Sequence, residues 1–394
     1  MSATAKAKNW GMNMENIELI APRYGIAWYP WAVQYFFLIA LSYASLWLAV
    51  PGTIMGRERW KSTARLALLG AVSTAIVAPV TLLADLHQPL RFWHFYAYPN
   101  DASWMSLGSL FLPLYVVLVL ALAWLVWREP LRARADAGGL QGLIARIAPL
   151  GGWATPRWLV VAVGLAAVAL SLAVMVYTGA EVAILKARPL WHTEYLPAMF
   201  LLTGMIGAAG LAIVVNRFSG LRHPVAGDQM LTVILISLVL AGLVAGGWLA
   251  QGLAINEGSV SAALDSVRDN PDWRRFAYWG MIAGIVLFLG AGLSEVLGSW
   301  RGTRWVLGLL ALHVAWMFRW TVLMEVQTVA RNSAGFQHYV VDIGSQGILG
   351  IVGSFGLWLA VVLIINLFVP WRAALGGRDQ TASTSAIQGE PSYG

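Results

Sequence analysis

Between two long apolar runs, residues 84–108 gather the carboxylate of Asp85 at the edge of the first run, two histidines (His87 and His94), Arg91 and the rings of Phe92, Trp93, Phe95, Tyr96 and Tyr98. An ionised aspartate at the centre of a membrane helix costs roughly 2.5–3.5 kcal/mol, and less near the interface. A carboxylate kept within about one helical turn of the hydrocarbon edge suits proton transfer or a polar ligand. The alternative is an interface anchor in which Asp85 pairs with Arg91. Pro89 has no N–H and restricts the residue before it, so it predicts a helix end close by. The aromatic residues that follow fit the headgroup belt.

The elements that carry these groups are membrane spans. Of 394 residues 59% are hydrophobic and only 11% charged, which excludes an ordinary soluble domain. A spanning helix needs about 20 mostly apolar residues. Nine runs qualify: 30–50, 66–86, 105–127, 158–178, 195–215, 229–250, 276–297, 305–323 and 347–369. Most are apolar all round, so surface amphipathic helices are not expected there. Cysteine is absent, which excludes disulfides and thiolate-held iron–sulfur clusters or zinc within this chain. The net charge of +7 is spread over short loops, so nucleic acid is not an expected partner. The first 25 residues contain no apolar core run, and no cleavable signal peptide is expected.

With the N-terminus outside, the inner loops and the tail hold 15 of the 26 Lys and Arg residues. The positive-inside rule therefore predicts an N-out, C-in protein. This topology collects Trp28, Tyr29, Gln34, Asp85, His87, Arg91, Trp93, Ser103, Ser106, Tyr177 and Glu181 at one outer border. Tyr177 and Glu181 are four residues apart, hence on one helix face. The end of span eight adds Arg319, Glu325 and Gln327. A short echo joins Glu181-Val182…Ala187-Arg188 to Glu325-Val326…Ala330-Arg331, as a parallel duplication of four spans would produce.

Three chemistries compete for such a border. Haem needs paired axial ligands on facing helices. Of the six histidines only His313 lies deep in a span, without a partner at its depth, so no haem is expected and His313 is read as hydrogen-bonded inside the bundle. A secondary transporter would place its polar groups near the midplane at broken helices. Pro79 interrupts span two, and Gly204, Gly207 and Gly210 line span five, but the ionisable groups cluster at the border instead. A lipophilic quinone with a polar head accounts for the cluster better. Its carbonyls need donors such as Tyr, His or Arg, quinol oxidation needs a proton acceptor such as Asp or Glu, and aromatic walls hold the remainder.

The run Asp85-Leu86-His87-Gln88-Pro89-Leu90-Arg91-Phe92-Trp93, followed by Ser103-Trp104-Met105-Ser106-Leu107-Gly108, resembles the D-L-x-x-P-x-R-F-W…S-x-M-S-x-G pattern of the NrfD/PsrC family. Tyr177-Thr178-Gly179 with Arg188-Pro189-Leu190-Trp191, Leu196-Pro197 and Phe200 is similar to a second block of that family, and Phe318-Arg319-Trp320 to a third. These are membrane subunits of polysulfide, tetrathionate and related reductases. The resemblance implies a quinone- or quinol-binding membrane anchor (menaquinone or ubiquinone) with no haem and no iron–sulfur cluster. It would oxidise quinol and pass electrons to an iron–sulfur subunit and then to a molybdopterin catalytic subunit. Tyr177, Asp85, His87 and Arg91 would bind the quinone, with Trp28, Gln34, Trp93, Ser106, Glu181 and Arg319 in support. The ninth span resembles the tetrathionate-reductase branch, whereas the start of span one lacks the family's polar histidine. The same fold run in reverse from an oxidising molybdoenzyme, a transporter and a structural anchor remain alternatives.

The expectation is an all-α integral membrane protein of the bacterial inner membrane, with two four-helix bundles plus one C-terminal helix. Residues 1–29 form an outer segment, 30–178 the first bundle with the quinone site and 179–323 the second bundle. Residues 324–371 hold an outer loop and the ninth helix, and 372–394 a disordered cytoplasmic tail.

Overall fold

A computed structural model describes residues 26–255, 258–268, 270–297, 301–329 and 339–375. Most of the N-terminal outer segment, most of the tail, Ala330, Arg331 and His338 lie outside the described residues. The helices are α1 (Pro30–Thr53), α2 (Lys61–Asp85), α3 (His94–Ala97), α4 (Trp104–Arg132), α5 (Gly139–Ile147), α6 (Arg157–Ala183), α7 (Tyr195–Phe218), α8 (Pro224–Ala250), α9 (Gly258–Arg268), α10 (Pro271–Leu297), α11 (Arg304–Leu323) and α12 (Ile348–Phe368). Among the described residues there is no strand element, and nine of these helices are long and apolar enough to cross a membrane. The protein is an all-α membrane protein. Its spans run past the apolar runs at several ends; α4, for example, continues through Arg128 to Arg132. There Arg128 is fully buried and donates to the carbonyls of Pro149 (2.7 Å) and Gly151 (2.8 Å) in the loop that follows α5.

Helix α1 is buried along nearly its whole length and packs against α2, α6, α7, α11 and α12. Helices α4 and α6 pack on each other, and α2 also touches α4. On the other side α7 packs on α8 and α11, while α10 packs on α8 and α11. Helix α7 also lies on α1, α2 and α6, and α12 rests on α1 and α2. Small residues permit the closest crossing: a Cβ on Gly210 would come within 2.6 Å of the Gly308 carbonyl. Such stripes let membrane helices pack backbone to backbone.

Arginines bind the elements together. Arg319 donates to the carbonyls of Phe36 (3.3 Å), Phe200 (2.9 Å) and Ala315 (2.9 Å) and to Thr203 Oγ1 (2.7 Å), joining α1, α7 and α11. Arg157 donates to the carbonyls of Thr53 and Ile54, where α1 ends and carries partial negative charge. Deep in α11, His313 Nε2 accepts a hydrogen bond from Trp279 Nε1 at 2.9 Å.

Candidate functional site

Helix α2 runs out at Asp85, four residues before Pro89. The chain then makes a tight turn over Pro89–Arg91 and the single turn of α3 before α4 begins. Ser103 caps α4 by accepting from Ser106 N (3.4 Å), and Ser106 Oγ accepts from Asn100 N (2.9 Å), which fixes the return loop. The start of α1 is held from two sides. Gln327 Oε1 accepts from the N–H groups of Ala27 (2.9 Å) and Trp28 (3.0 Å), and Asp85 Oδ1 accepts from Tyr29 N at 3.0 Å. A carboxylate suits that place, since a helix N-terminus carries partial positive charge.

These elements enclose a cavity of about 680 Å³. Its polar groups are Asp85 and His87 from the end of α2, and Tyr35, Tyr177 and Glu181 from α1 and α6. Its apolar walls come from Trp28 and Phe36, from Pro79 and Leu82, from Phe92 and Phe95, and from Leu112, Pro113 and Val116. Between α2 and α4 the wall includes Leu83, Met105 and Val117, whose side chains are exposed. The cavity is therefore partly open between these two helices. A few convergent polar groups in a largely apolar void of this size are the usual form of a small-molecule site.

Tyr177 is seated by a glycine. A Cβ on Gly108 would come within 2.2 Å of the Tyr177 ring, so α4 leaves room for the ring to lie against its backbone. Tyr35 donates its hydroxyl proton to Tyr177 Oη at 3.2 Å, and Tyr177 is in turn hydrogen-bonded to Glu181 one helical turn on. Glu181 and Asp85 interact electrostatically within the same site. Beside the cavity residue His87, the ring of Tyr29 is tilted against the imidazole with centroids 5.4 Å apart.

The structure thus brings Asp85, His87, Tyr177, Glu181 and Trp28 to one cavity. The other anticipated residues lie elsewhere. Arg91 and Trp93 are exposed on the connecting segment and do not face the cavity. Among the described residues no ion pair joins Arg91 to Asp85; the aspartate takes the backbone N–H of Tyr29 instead. Ser106 holds the return loop. Gln34 turns away, donating to the Ile351 carbonyl (3.2 Å) and accepting from Trp316 Nε1 (3.0 Å). Arg319 lies behind Phe36, bonded to its carbonyl. Tyr35 is the residue that sequence reasoning missed. Helical spacing would have found it, because Ala32, Tyr35 and Phe36 share one face of α1 and Gln34 does not.

Comparison with known proteins matches this arrangement to one family. The family model for polysulphide reductase, NrfD, matches residues 18–330. A subunit of the tetrathionate reductase of Salmonella typhimurium is 36% identical over 351 residues, which is 89% of this chain and 94% of that protein. A subunit of the polysulfide reductase of Wolinella succinogenes is 30% identical over 200 residues, 50% of this chain and 60% of its own length. A subunit of the selenate reductase of Mesobacillus selenatarsenatis is 26% identical over 209 residues, 49% of either protein. With the family model covering the site and most of the chain, the chain belongs to the NrfD polysulphide reductase family of multi-pass membrane proteins.

Proposed function

We propose that this chain is the quinol-oxidising membrane subunit of a molybdopterin reductase complex acting on a sulfur compound. The observation that carries the reading is the cavity that holds Asp85, Tyr177 and Glu181 at one end and opens between α2 and α4. Its volume and apolar walls fit the head and first tail units of a quinone, and its polar groups fit the two ring oxygens. Bound there, a quinol supplies two electrons and two protons. Asp85 takes one proton and is held for the task by the Tyr29 N–H. Glu181 takes the other, while Tyr177, fixed by Tyr35, hydrogen-bonds the ring oxygen. His87, exposed beside Asp85, passes protons on to the outer water. The electrons leave to an iron–sulfur partner docked on the same side, because a cysteine-free protein offers no thiolate-held cluster of its own. The names of the relatives, as reductase subunits, support such partners.

Asp85→Asn tests the reading, since it keeps size and removes the proton acceptor. In an assembled complex, quinol-driven turnover is expected to fall about 10²–10⁴-fold. Turnover with an artificial dye that donates directly to the partner subunits is expected to stay near normal. Full quinol activity in the variant would place the reaction elsewhere. The reading also includes a bacterial inner membrane location and an N-out, C-in topology. A lone cysteine introduced as Ser62→Cys is then expected to resist an impermeant thiol reagent added to intact cells.

A further inference from the structure

The segment from Pro89 to Tyr98 crosses over the outer end of the cavity and supplies Phe92, Phe95 and Tyr96 to its wall. It touches α2 at one end and α4 at the other. It also carries rings far out of the protein: Tyr98 is 73% exposed and Leu90 88%. Burial alone therefore holds it weakly, and a specific tie matters. That tie is a hydrogen bond from the Tyr96 hydroxyl to the backbone carbonyl of Ser109, at 3.0 Å.

Why that carbonyl is available follows from the sequence of α4. In an α-helix the Ser109 carbonyl would accept from the N–H of the residue four places on. That residue is Pro113, which has no N–H and whose ring pushes against the same carbonyl. The helix therefore leaves one strong acceptor without its usual donor, on the wall of the cavity and at the height of the crossing segment. Ser109 Oγ cannot satisfy it, since it donates to the Ser106 carbonyl at 2.6 Å. Tyr96 supplies the missing donor.

We propose that Tyr96 and Pro113 form a latch that positions the 89–98 segment over the cavity and sets how a lipid-soluble ligand is held once it has entered between α2 and α4. Tyr96 is a positioning residue here, because its hydroxyl is spent on α4 and not on the ligand. The consequence for turnover rests on the quinol reading above; the latch itself does not. With the hydroxyl bound, the rings of Phe92 and Phe95 stay against the ligand's apolar part. With it released, the segment swings toward the headgroup region, the cavity loses that wall, and ligand leaves faster.

Two measurements on two variants test this. A nitroxide on a lone cysteine, Tyr98→Cys, reports motion of the segment by electron spin resonance in the full chain reconstituted in lipid nanodiscs. Adding Tyr96→Phe, which keeps the ring and removes only the hydroxyl, is expected to raise the ratio of mobile to immobile label about 3–10-fold, the value of one neutral hydrogen bond. Pro113→Ala returns a helical donor to the Ser109 carbonyl and is expected to shift the label in the same direction. An unchanged label in Tyr96→Phe overturns the latch. In the assembled complex, Tyr96→Phe is expected to raise KM for a long-tailed quinol about 3–10-fold and to raise it more than it lowers kcat. A mobile label with an unmoved KM overturns the positioning role. Asp85→Asn in the same preparation separates the two ideas. If it keeps full quinol turnover, the quinol reading fails while the label still judges the latch. If its turnover collapses and Tyr96→Phe changes nothing, the latch is the idea that fails.

Discussion

Glu181 and Glu325 occupy echoing places in the two halves of the chain, each followed by valine and each at the C-terminal end of a long apolar span. Their surroundings differ. Glu181 faces a cavity, beside Tyr177 and in electrostatic reach of Asp85. Glu325 is 3% exposed and accepts the indole N–H of Trp320 at 2.8 Å. Around it, Trp320 stacks on Trp316 (5.2 Å between centroids) and leans on Tyr339 (6.3 Å) and Phe276 (6.4 Å). Rings fill the space in the second half that is open in the first. A carboxylate near the hydrocarbon edge is thus not a site by itself. It becomes one where packing leaves a void against it. The cross-connection between the halves is structural: Arg188 donates to the carbonyls of Val326 and Val329, both at 3.1 Å.

The sharpest way to break this contrast is to neutralise both carboxylates. Glu181→Gln is expected to lower quinol-driven turnover about 10²–10⁴-fold, as losing a positioned proton acceptor does. Glu325→Gln keeps an oxygen for Trp320 and is expected to leave turnover per assembled complex unchanged. It costs about 1 kcal/mol of stability as a charge-assisted hydrogen bond becomes a neutral one. Equal losses of turnover in the two variants would mean that the two halves do not differ in function. Dye-driven turnover of each preparation supplies the control for assembly.

A second contrast uses glycines. In Gly108→Ala the new methyl group displaces the Tyr177 ring. A shift of about 1 Å in a reacting geometry can cost on the order of 10²-fold, so turnover is expected to fall by about that factor. In Gly210→Ala the methyl group meets the Gly308 carbonyl at the α7–α11 crossing instead. Overpacking there is expected to cost about 1–3 kcal/mol of stability and to leave the turnover of folded complex intact. Thermal unfolding and turnover measured on both variants distinguish the outcomes. A Gly108→Ala protein that loses stability alone would show that Tyr177 has room to move without consequence.

Much of the fold was legible because hydrophobic length is a strong signal: all nine runs correspond to helices. The border cluster was legible in part, since parity of spans brings the ends of α2 and α6 and the start of α1 to one side. What the sequence could not show is which way each side chain turns once the backbone leaves the helix. Arg91 and Trp93 sit in the same motif as Asp85, yet the turn at Pro89–Arg91 carries them outward. Asp85 bonds the N–H of Tyr29, a backbone partner that no residue pattern announces. Gln34 was the polar residue at the start of α1, but its neighbour Tyr35 has the phase that meets Tyr177. The short helices α5 and α9 went unseen because they lie in loops, where no long apolar run marks them.

The smallest effect bears on how Tyr177 works within the open half. It receives a hydrogen bond from Tyr35 and makes one to Glu181, so it could orient the ligand or relay a proton. Glu181 lines the cavity itself, which favours orientation: a proton can reach the carboxylate without passing through the phenol. Tyr177→Phe then removes one neutral hydrogen bond, about 0.5–1.5 kcal/mol, and is expected to raise KM roughly two- to thirteenfold while kcat falls little. Tyr35→Phe, which only loosens Tyr177 from behind, is expected at the lower end of that range. Steady-state kinetics on the complex, with KM and kcat separated, checks both. A kcat for Tyr177→Phe that drops as far as that of Glu181→Gln would make the phenol the proton relay, and would move Glu181 one step further from the ligand.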